Sequence, residues 1–445
     1  MADTHDLIII GGGPGGYVAA ERAGAAGKNV LLIERAHLGG TCLNAGCIPT
    51  NTLLHSAKLY SKIQNASHYG VHADNARFDL AEVMGRKRRV IQTLRNGVAY
   101  QMARHHVTVR AGEAAFVDRQ TVQIEGDLFT APNIIIATGA HPVWPDVPGI
   151  EHAVTTTQLL DRETLPAEMV ILGAGPLAVG LAAIYGMIGV KVSLVSPEAR
   201  LLPDHDSELV HLLLLELHNV TLHLESDVQR ITPDSVTAAH KGHQLTLPAD
   251  TIVICGQRVP NVEGLGLEHT GLDYSAAGIL VDEQQRTNLP GVYAIGDVTG
   301  RAMWAHAASR MAEVAVNHLL GIPDRFRVHA MPSVVYSDPE IASVGLTADQ
   351  ATAQGFRVKV GRLPLSANGR WVIENEGRRG LCKVVVDADT GRLLGVHLLA
   401  PNAPDLIFGA AAMLEDEFRT ADLKQVLFAH PTVSEILKDS VYELR

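Results

Sequence analysis

One local pattern occurs twice in this chain. Leu7-Ile-Ile-Ile10 runs into Gly11-Gly-Gly13-Pro-Gly-Gly16, and Met169-Val-Ile-Leu172 runs into Gly173-Ala-Gly175-Pro-Leu-Ala178. Each is followed by a second apolar strand, Val30–Ile33 ending at Glu34 and Val192–Val195 ending at Ser196. The interval from Gly11 to Glu34 is 23 positions, and that from Gly173 to Ser196 is the same. A further apolar strand ends in a turn in each copy, at Thr138-Gly139 after Ile134–Ile136 and at Gly256 after Ile252–Cys255. One GxGxxG is a weak signal. Two of them, each set between strand and helix at matched spacing, demand two units of parallel sheet and covering helix.

The glycines have a physical task. Gly11 permits the tight turn, Gly13 lets backbone approach a pyrophosphate, and Gly16 lets the helix pack on the strand. The pyrophosphate then sits on a helix N-terminus, where free N–H groups favour negative charge. Glu34 ends the second strand, where a carboxylate accepts from both hydroxyls of an adenosine ribose. Gly173 and Gly175 repeat the pattern, and Ala178 replaces the third glycine, which a slightly wider helix–strand contact tolerates. These are two Rossmann-like dinucleotide domains, the second inserted into the first.

At 445 residues the chain is too long for one ordinary domain, and three or four are expected. Net charge is −11 with no basic block, which argues against nucleic acid as a partner. Met1 to Asp6 has no cationic region and leads directly into a first buried strand, unlike a secretory signal. The most apolar later stretch, 176–190, is broken by Gly180, Gly186 and Gly189 and fits a buried helix better than a membrane span. A cytoplasmic protein without membrane contact is expected.

Four cysteines occur in the whole chain, and two lie five residues apart in Gly39-Gly-Thr41-Cys42-Leu-Asn-Ala-Gly46-Cys47-Ile-Pro49-Thr50. Beside a dinucleotide fold in a cytosolic protein, such a pair points to catalysis. In a regular helix positions i and i+5 have Cα atoms roughly 8.6 Å apart. A disulfide needs less than about 7 Å. The helix must therefore be broken between Cys42 and Cys47 if they bond, and Gly46 and Pro49 make that possible. An accessible pair held in such a turn is of the exchange-competent kind. Cys255 and Cys382 have no sequence partner and read as small core residues.

Together these motifs resemble the flavin-dependent disulfide reductases, over nearly the whole chain. The redox segment 39–49 resembles that family's own. Ala137-Thr138-Gly139 and Pro148-Gly149 resemble its crossover between nucleotide domains. Thr287–Asp297 resembles its second flavin motif, Met303-Trp-Ala305-His306 the segment after it, and Ala429-His430-Pro-Thr-Val-Ser-Glu435 its catalytic-base motif. The resemblance implies an α/β fold with two Rossmann-like domains and a C-terminal α+β dimerisation domain. The expected limits are 1–148 and 273–328 for the FAD-binding part, 149–272 for the NAD(P)-binding domain, and 329–445 for dimerisation.

It also implies roles. Cys42 is the exchange thiol, Cys47 lies against the flavin, and His430 is the base, oriented by Glu435 and reaching the disulfide of a neighbouring subunit. FAD contacts fall to Gly11, Gly13, Gly16, Glu34, Thr41, Thr138, Gly139, Gly296, Asp297, Ala305 and His306. NAD contacts fall to Gly173, Gly175, Ala178, Ser196 and Gly256, with NADP left open. The expected activity is oxidation of a dihydrolipoyl group on a carrier protein by a homodimer. A glutathione-type reductase and a flavoprotein subunit of low turnover remain alternatives.

Two departures stand out. Most relatives carry a lysine directly after the Thr50 position and a glutamate two residues after the Ala178 position; this chain has Asn51 and Gly180. Losing both together avoids an uncompensated buried charge, which costs roughly 3–5 kcal/mol. An altered flavin potential is expected. At the second nucleotide site Ser196 replaces the usual acid, with Glu198 and Arg200 just beyond it.

Overall fold

The computed structural model describes residues 3–445. Met1 and Ala2, counted in the first segment above, lie outside them. Both expected nucleotide units are present. In the first, five parallel strands run in the order Val292–Ala294, Asn133–Ile136, Leu7–Ile10, Val30–Glu34, Thr108–Ala111. In the second the order is Val154–Thr155, Thr251–Ile254, Glu168–Leu172, Lys191–Val195, Val220–His223, again all parallel. These strands read as continuous Ile, Leu and Val because helices or a second sheet cover both faces. Leu7, Ile8 and Ile9 are all fully buried. The strand Val292–Ala294 returns to the first sheet from beyond the second unit, so the second unit is an insertion.

The repeat goes further than the sequence revealed. Each unit carries an antiparallel layer between its outer strand and its closing strand. In the first this includes Thr121–Ile124 and Asp127–Thr130; in the second it is Ser226–Thr232, Ser235–His240 and His243–Pro248. Two of the hairpins close through Glu125-Gly126 and Lys241-Gly242, both residues of each pair having positive φ. That is the turn whose twist suits a tight hairpin, but Asn-Gly or Asp-Gly is its strong sequence signal. Glu-Gly and Lys-Gly do not announce it.

The C-terminal part is a five-stranded antiparallel sheet in the order Ser333–Val335, Glu340–Gly345, Leu393–Ala400, Leu381–Asp387, Val358–Pro364. Leu381–Asp387 is an interior strand of which Lys383 alone is half-buried and the rest buried. No helix among the described residues is long and apolar enough to cross a membrane.

Candidate active site

The first glycine turn and the cysteine segment form one structure. Gly11 has φ 106°, and a Cβ there would lie 2.3 Å from the Ala137 carbonyl oxygen. Gly16 is held as tightly, since its Cβ would fall 1.7 Å from Gly11 O. Gly13 is different: its nearest neighbour would be 3.8 Å away, leaving room above the helix Pro14–Ala25. That room, at an uncapped helix N-terminus, fits a pyrophosphate. Gly39 N–H donates to Gly12 O at 2.8 Å, so the cysteine segment is seated on the phosphate turn. Glu34 accepts from Gly12 N at 2.7 Å through one oxygen and from Ala36 N at 2.8 Å through the other. Its carboxylate is therefore fixed beside the turn, where an adenosine ribose would lie.

The cysteines are bonded. Cys42 and Cys47 have Cα atoms 4.6 Å apart. The expected break is there: helix Gly40–Ala45, which carries Thr41, stops at Gly46 (φ −135°, ψ −102°), and Cys47 opens helix Cys47–Gln64. A sulfur at a helix N-terminus has its thiolate stabilised by the free N–H groups and the dipole. Asn44, between the two cysteines, donates to Gly40 O at 2.8 Å and Leu38 O at 3.1 Å. Arg95 Nε, on helix Leu80–Arg104, donates to Asn44 Oδ1 at 2.5 Å. Asn51 donates to Cys47 O at 2.9 Å, so its amide bonds back onto the first turn of its own helix. The buried Thr50 hydroxyl has no protein partner.

The remaining flavin-motif residues line the same region. Thr138 Oγ1 donates to Asn261 O at 2.8 Å, and Asn261 Nδ2 returns to Thr138 O at 2.7 Å, with Gly139 in the left-handed region. Asp297 follows Gly296 in a short turn. Burial pushes its carboxyl above the usual range, opposed by the Arg258 guanidinium. Ala305 opens helix Ala305–Leu319 with no side chain capping it, leaving N–H donors for a ligand. His306 is not so aimed: its Nε2 donates to Pro332 O at 2.9 Å, so it ties this helix to the C-terminal part. The room at Gly13, the fixed Glu34, the half-buried Asp297 and the uncapped Ala305 helix together fit FAD.

The second turn repeats the first. A Cβ on Gly173 would lie 2.4 Å from Cys255 O, the counterpart of Ala137 O. Gly175 faces open space. Ala178, buried at 1% exposure, carries a real Cβ at the position where one on Gly16 would fall 1.7 Å from Gly11 O. Gly256, after the closing strand, is exposed. Ser196 is buried, its hydroxyl accepting from Glu198 N at 3.2 Å. Burial raises both remaining thiols to about 12; Cys382 is a core residue as expected, while Cys255 is half-buried at the edge of the core.

His430 and Glu435 stand apart. His430 Nδ1 and Glu435 Oε1 are 2.9 Å apart, and Glu435 Oε2 accepts from Thr432 N at 2.8 Å. The Thr432 N–H and then His430 hold the Glu435 carboxyl below its usual range. A carboxylate so fixed orients the ring and leaves Nε2 to handle protons. The His430 side chain is 82% exposed and points away from the body of its own chain.

Sequence reasoning missed Arg95, Arg258 and Asn261. Each meets its site across long stretches of chain, 51 residues for Arg95 to Asn44 and 123 for Asn261 to Thr138, and nothing local marks them.

An exchangeable disulfide seated on a dinucleotide turn, beside a second such turn, defines a nucleotide-dependent thiol–disulfide oxidoreductase. The chain belongs to the pyridine nucleotide-disulphide oxidoreductase family: that family's model matches residues 5–312, and its dimerisation domain matches 331–441. FAD and NAD(H) are the cofactors of this family. Among its relatives, dihydrolipoyl dehydrogenase from Zymomonas mobilis is 36% identical, covering 99% of this chain and 98% of that protein. One from Bacillus subtilis is 35% identical over 98% and 97%. Among solved structures, the HOCl-induced flavoprotein disulfide reductase RclA from Escherichia coli superimposes with a TM-score of 0.88 at 29% identity, covering 98% and 99%. LpdA from Mycobacterium tuberculosis gives 0.89 at 26%, covering 99% of each chain.

Proposed function

We propose that this enzyme oxidises dihydrolipoyl groups on a carrier protein to the disulfide, with reduction of NAD+, working as a homodimer in the cytoplasm. The observation that carries the reading is the preformed Cys42–Cys47 disulfide at a helix start seated on the first glycine turn. The curated dihydrolipoyl dehydrogenases support the choice of substrate. Segments 1–148 and 273–328 bind FAD, 149–272 binds the nicotinamide cofactor, and 329–445 forms the dimer.

Cys42 exchanges with the substrate thiols and Cys47, at the helix N-terminus, is the second sulfur of the relay. Bound FAD supplies the two-electron transfer between this pair and the nicotinamide. His430 takes the substrate thiol proton at Nε2, with Glu435 fixing Nδ1. Because His430 is exposed on its own chain, it serves the disulfide of the partner. Gly11, Gly13, Gly16, Glu34, Thr41, Thr138, Gly139, Gly296, Asp297 and Ala305 surround FAD, and His306 holds the Ala305 helix in place. Gly173, Gly175, Ala178, Ser196 and Gly256 line the nicotinamide nucleotide site.

A second reading is reduction of another disulfide or oxidant by NAD(P)H. The likeness to RclA favours it, as do Asn51 and Gly180 where most relatives have the charged pair. Steady-state turnover of the yellow protein separates the two. Dihydrolipoamide with NAD+ and NADP+, and lipoamide or glutathione disulfide with NADH and NADPH, are the substrates. Lipoamide-specific turnover supports the first reading. Turnover with another acceptor alone moves the assignment to the second.

A further inference from the structure

Besides Ala178 in place of the third glycine, the two nucleotide units differ at the end of the second strand. In the first, Glu34 accepts from both Gly12 N and Ala36 N. In the second, Ser196 is too short to span the gap. Its hydroxyl accepts from Glu198 N at 3.2 Å, the counterpart of Ala36 N, and among the described residues no group accepts from Ala174 N, the counterpart of Gly12 N. Glu198 is fixed at its backbone on both sides, since its carbonyl accepts from Glu225 N at 3.0 Å. Its side chain is exposed and has no ion pair or hydrogen bond among the described residues.

The positive charges nearby are spoken for. The Arg200 guanidinium turns away to the Pro203 carbonyl. Lys241 pairs with Glu225 at 2.9 Å. His223, at the end of the neighbouring strand, is held below its ordinary pKa by burial and by His240. The uncompensated charge at the end of this second strand is therefore the Glu198 carboxylate. A carboxylate accepts from a ribose diol and repels a 2′-phosphate.

We infer that Glu198 takes over, two residues further along, the ribose-binding task that Glu34 performs in the first unit, and that it makes the enzyme selective for NAD(H) over NADP(H). The inference rests on the nucleotide-site part of the proposed function and is independent of which disulfide is the substrate.

The test is equilibrium binding of NAD+ and NADP+ to the FAD-loaded dimer by calorimetry, with no disulfide substrate present. The wild type is expected to bind NAD+ at least about tenfold tighter than NADP+, about 1.4 kcal/mol. Glu198→Gln is expected to weaken NAD+ about tenfold and to abolish that preference, and Glu198→Asp to restore part of it. FAD content and Tm stay at wild-type values, because the side chain is exposed. Arg200→Ala is expected to leave both affinities alone. A wild type that prefers NADP+, or a Glu198→Gln variant with an unchanged NAD+ to NADP+ ratio, overturns the assignment to Glu198. Binding of neither nucleotide overturns the reading of the second site itself.

Discussion

Cys47 is the first residue of its helix, and its chemistry follows from that place. The free N–H groups of the first turn stabilise a sulfur anion, which lowers the cost of releasing Cys47 when Cys42 is attacked. Cys47→Ser is expected to remove lipoamide turnover by roughly a thousandfold or more while leaving FAD bound, on the scale of losing a covalent catalyst. Retained turnover would show that the pair is not in the pathway. Glu435 acts at one remove. Glu435→Ala frees the His430 ring, and a loss of roughly 10^4-fold in kcat with little change in KM is expected, as for the orienting carboxylate of a triad. These residues were legible because each sits in a short string. Asn51 and Gly180 were legible too, but not what surrounds them. A Cβ at Gly180 would lie 2.8 Å from the Tyr336 carbonyl oxygen, contributed by the C-terminal sheet. The charged pair of the relatives cannot be restored here by side chains alone. Gly180→Ala is expected to cost about 1–3 kcal/mol from overpacking. A thermal melt checks this. An unchanged Tm would mean that the connection at Tyr336, just past strand Ser333–Val335, gives way and that Asn51→Lys with Gly180→Glu is a clean test of the flavin potential.

At the scale of elements, the repeat was readable because buried parallel strands announce themselves as apolar runs and phosphate turns as glycines. The antiparallel layers were not. Their strands mix exposed, half-buried and buried positions in place of continuous apolar runs, and Glu125-Gly126 and Lys241-Gly242 are weak turn signals. The two kinds of glycine should respond differently to the same change. Gly242 has φ 82° and open space around it, so Gly242→Ala costs the left-handed backbone alone, about 1–2 kcal/mol. Gly16→Ala drives a Cβ into Gly11 O and must move the phosphate turn. Flavin absorbance of the purified variants measures the contrast: full FAD content is expected for Gly242→Ala and little for Gly16→Ala. Equal FAD content in both would mean that the first turn can relax as far as the second, where Ala178 already sits.

The contacts that join the parts were invisible in sequence, since they pair residues more than a hundred positions apart. Asp206 caps helix Ser207–Leu214 and holds Lys383 of the C-terminal sheet at 2.6 Å. Glu208 on the same helix takes Arg362, and Ser333 meets His205 at 3.1 Å. His205 and His397 are both buried in this junction. Burial is the main cause lowering both, and for His205 it does so to about 4, against an opposing pull from Asp204. An imidazole whose folded pKa is depressed binds fewer protons folded than unfolded between about 4 and 6.5. Its stabilisation is therefore complete above about pH 6.5 and lost as pH falls toward about 4, by no more than about 3 kcal/mol for His205. Thermal melts across that window should show the wild type losing stability more steeply than His205→Gln. Parallel curves would exclude the junction as the acid-sensitive point.

The same view of the molecule makes a sharper demand of the active site. His430 is exposed on its own chain while the disulfide is seated on the first nucleotide unit, and on the proposed function a complete site takes one contribution from each of two copies. Cys42→Ser and His430→Ala should each be inactive as homodimers. Unfolded together and refolded, they form hybrids in which one site holds both lesions and the other holds none. Statistical mixing puts half the dimers in that form with one working site of two, so activity should recover to about a quarter of wild type. A base acting on the disulfide of its own chain would leave a lesion in every site, and mixing would restore nothing.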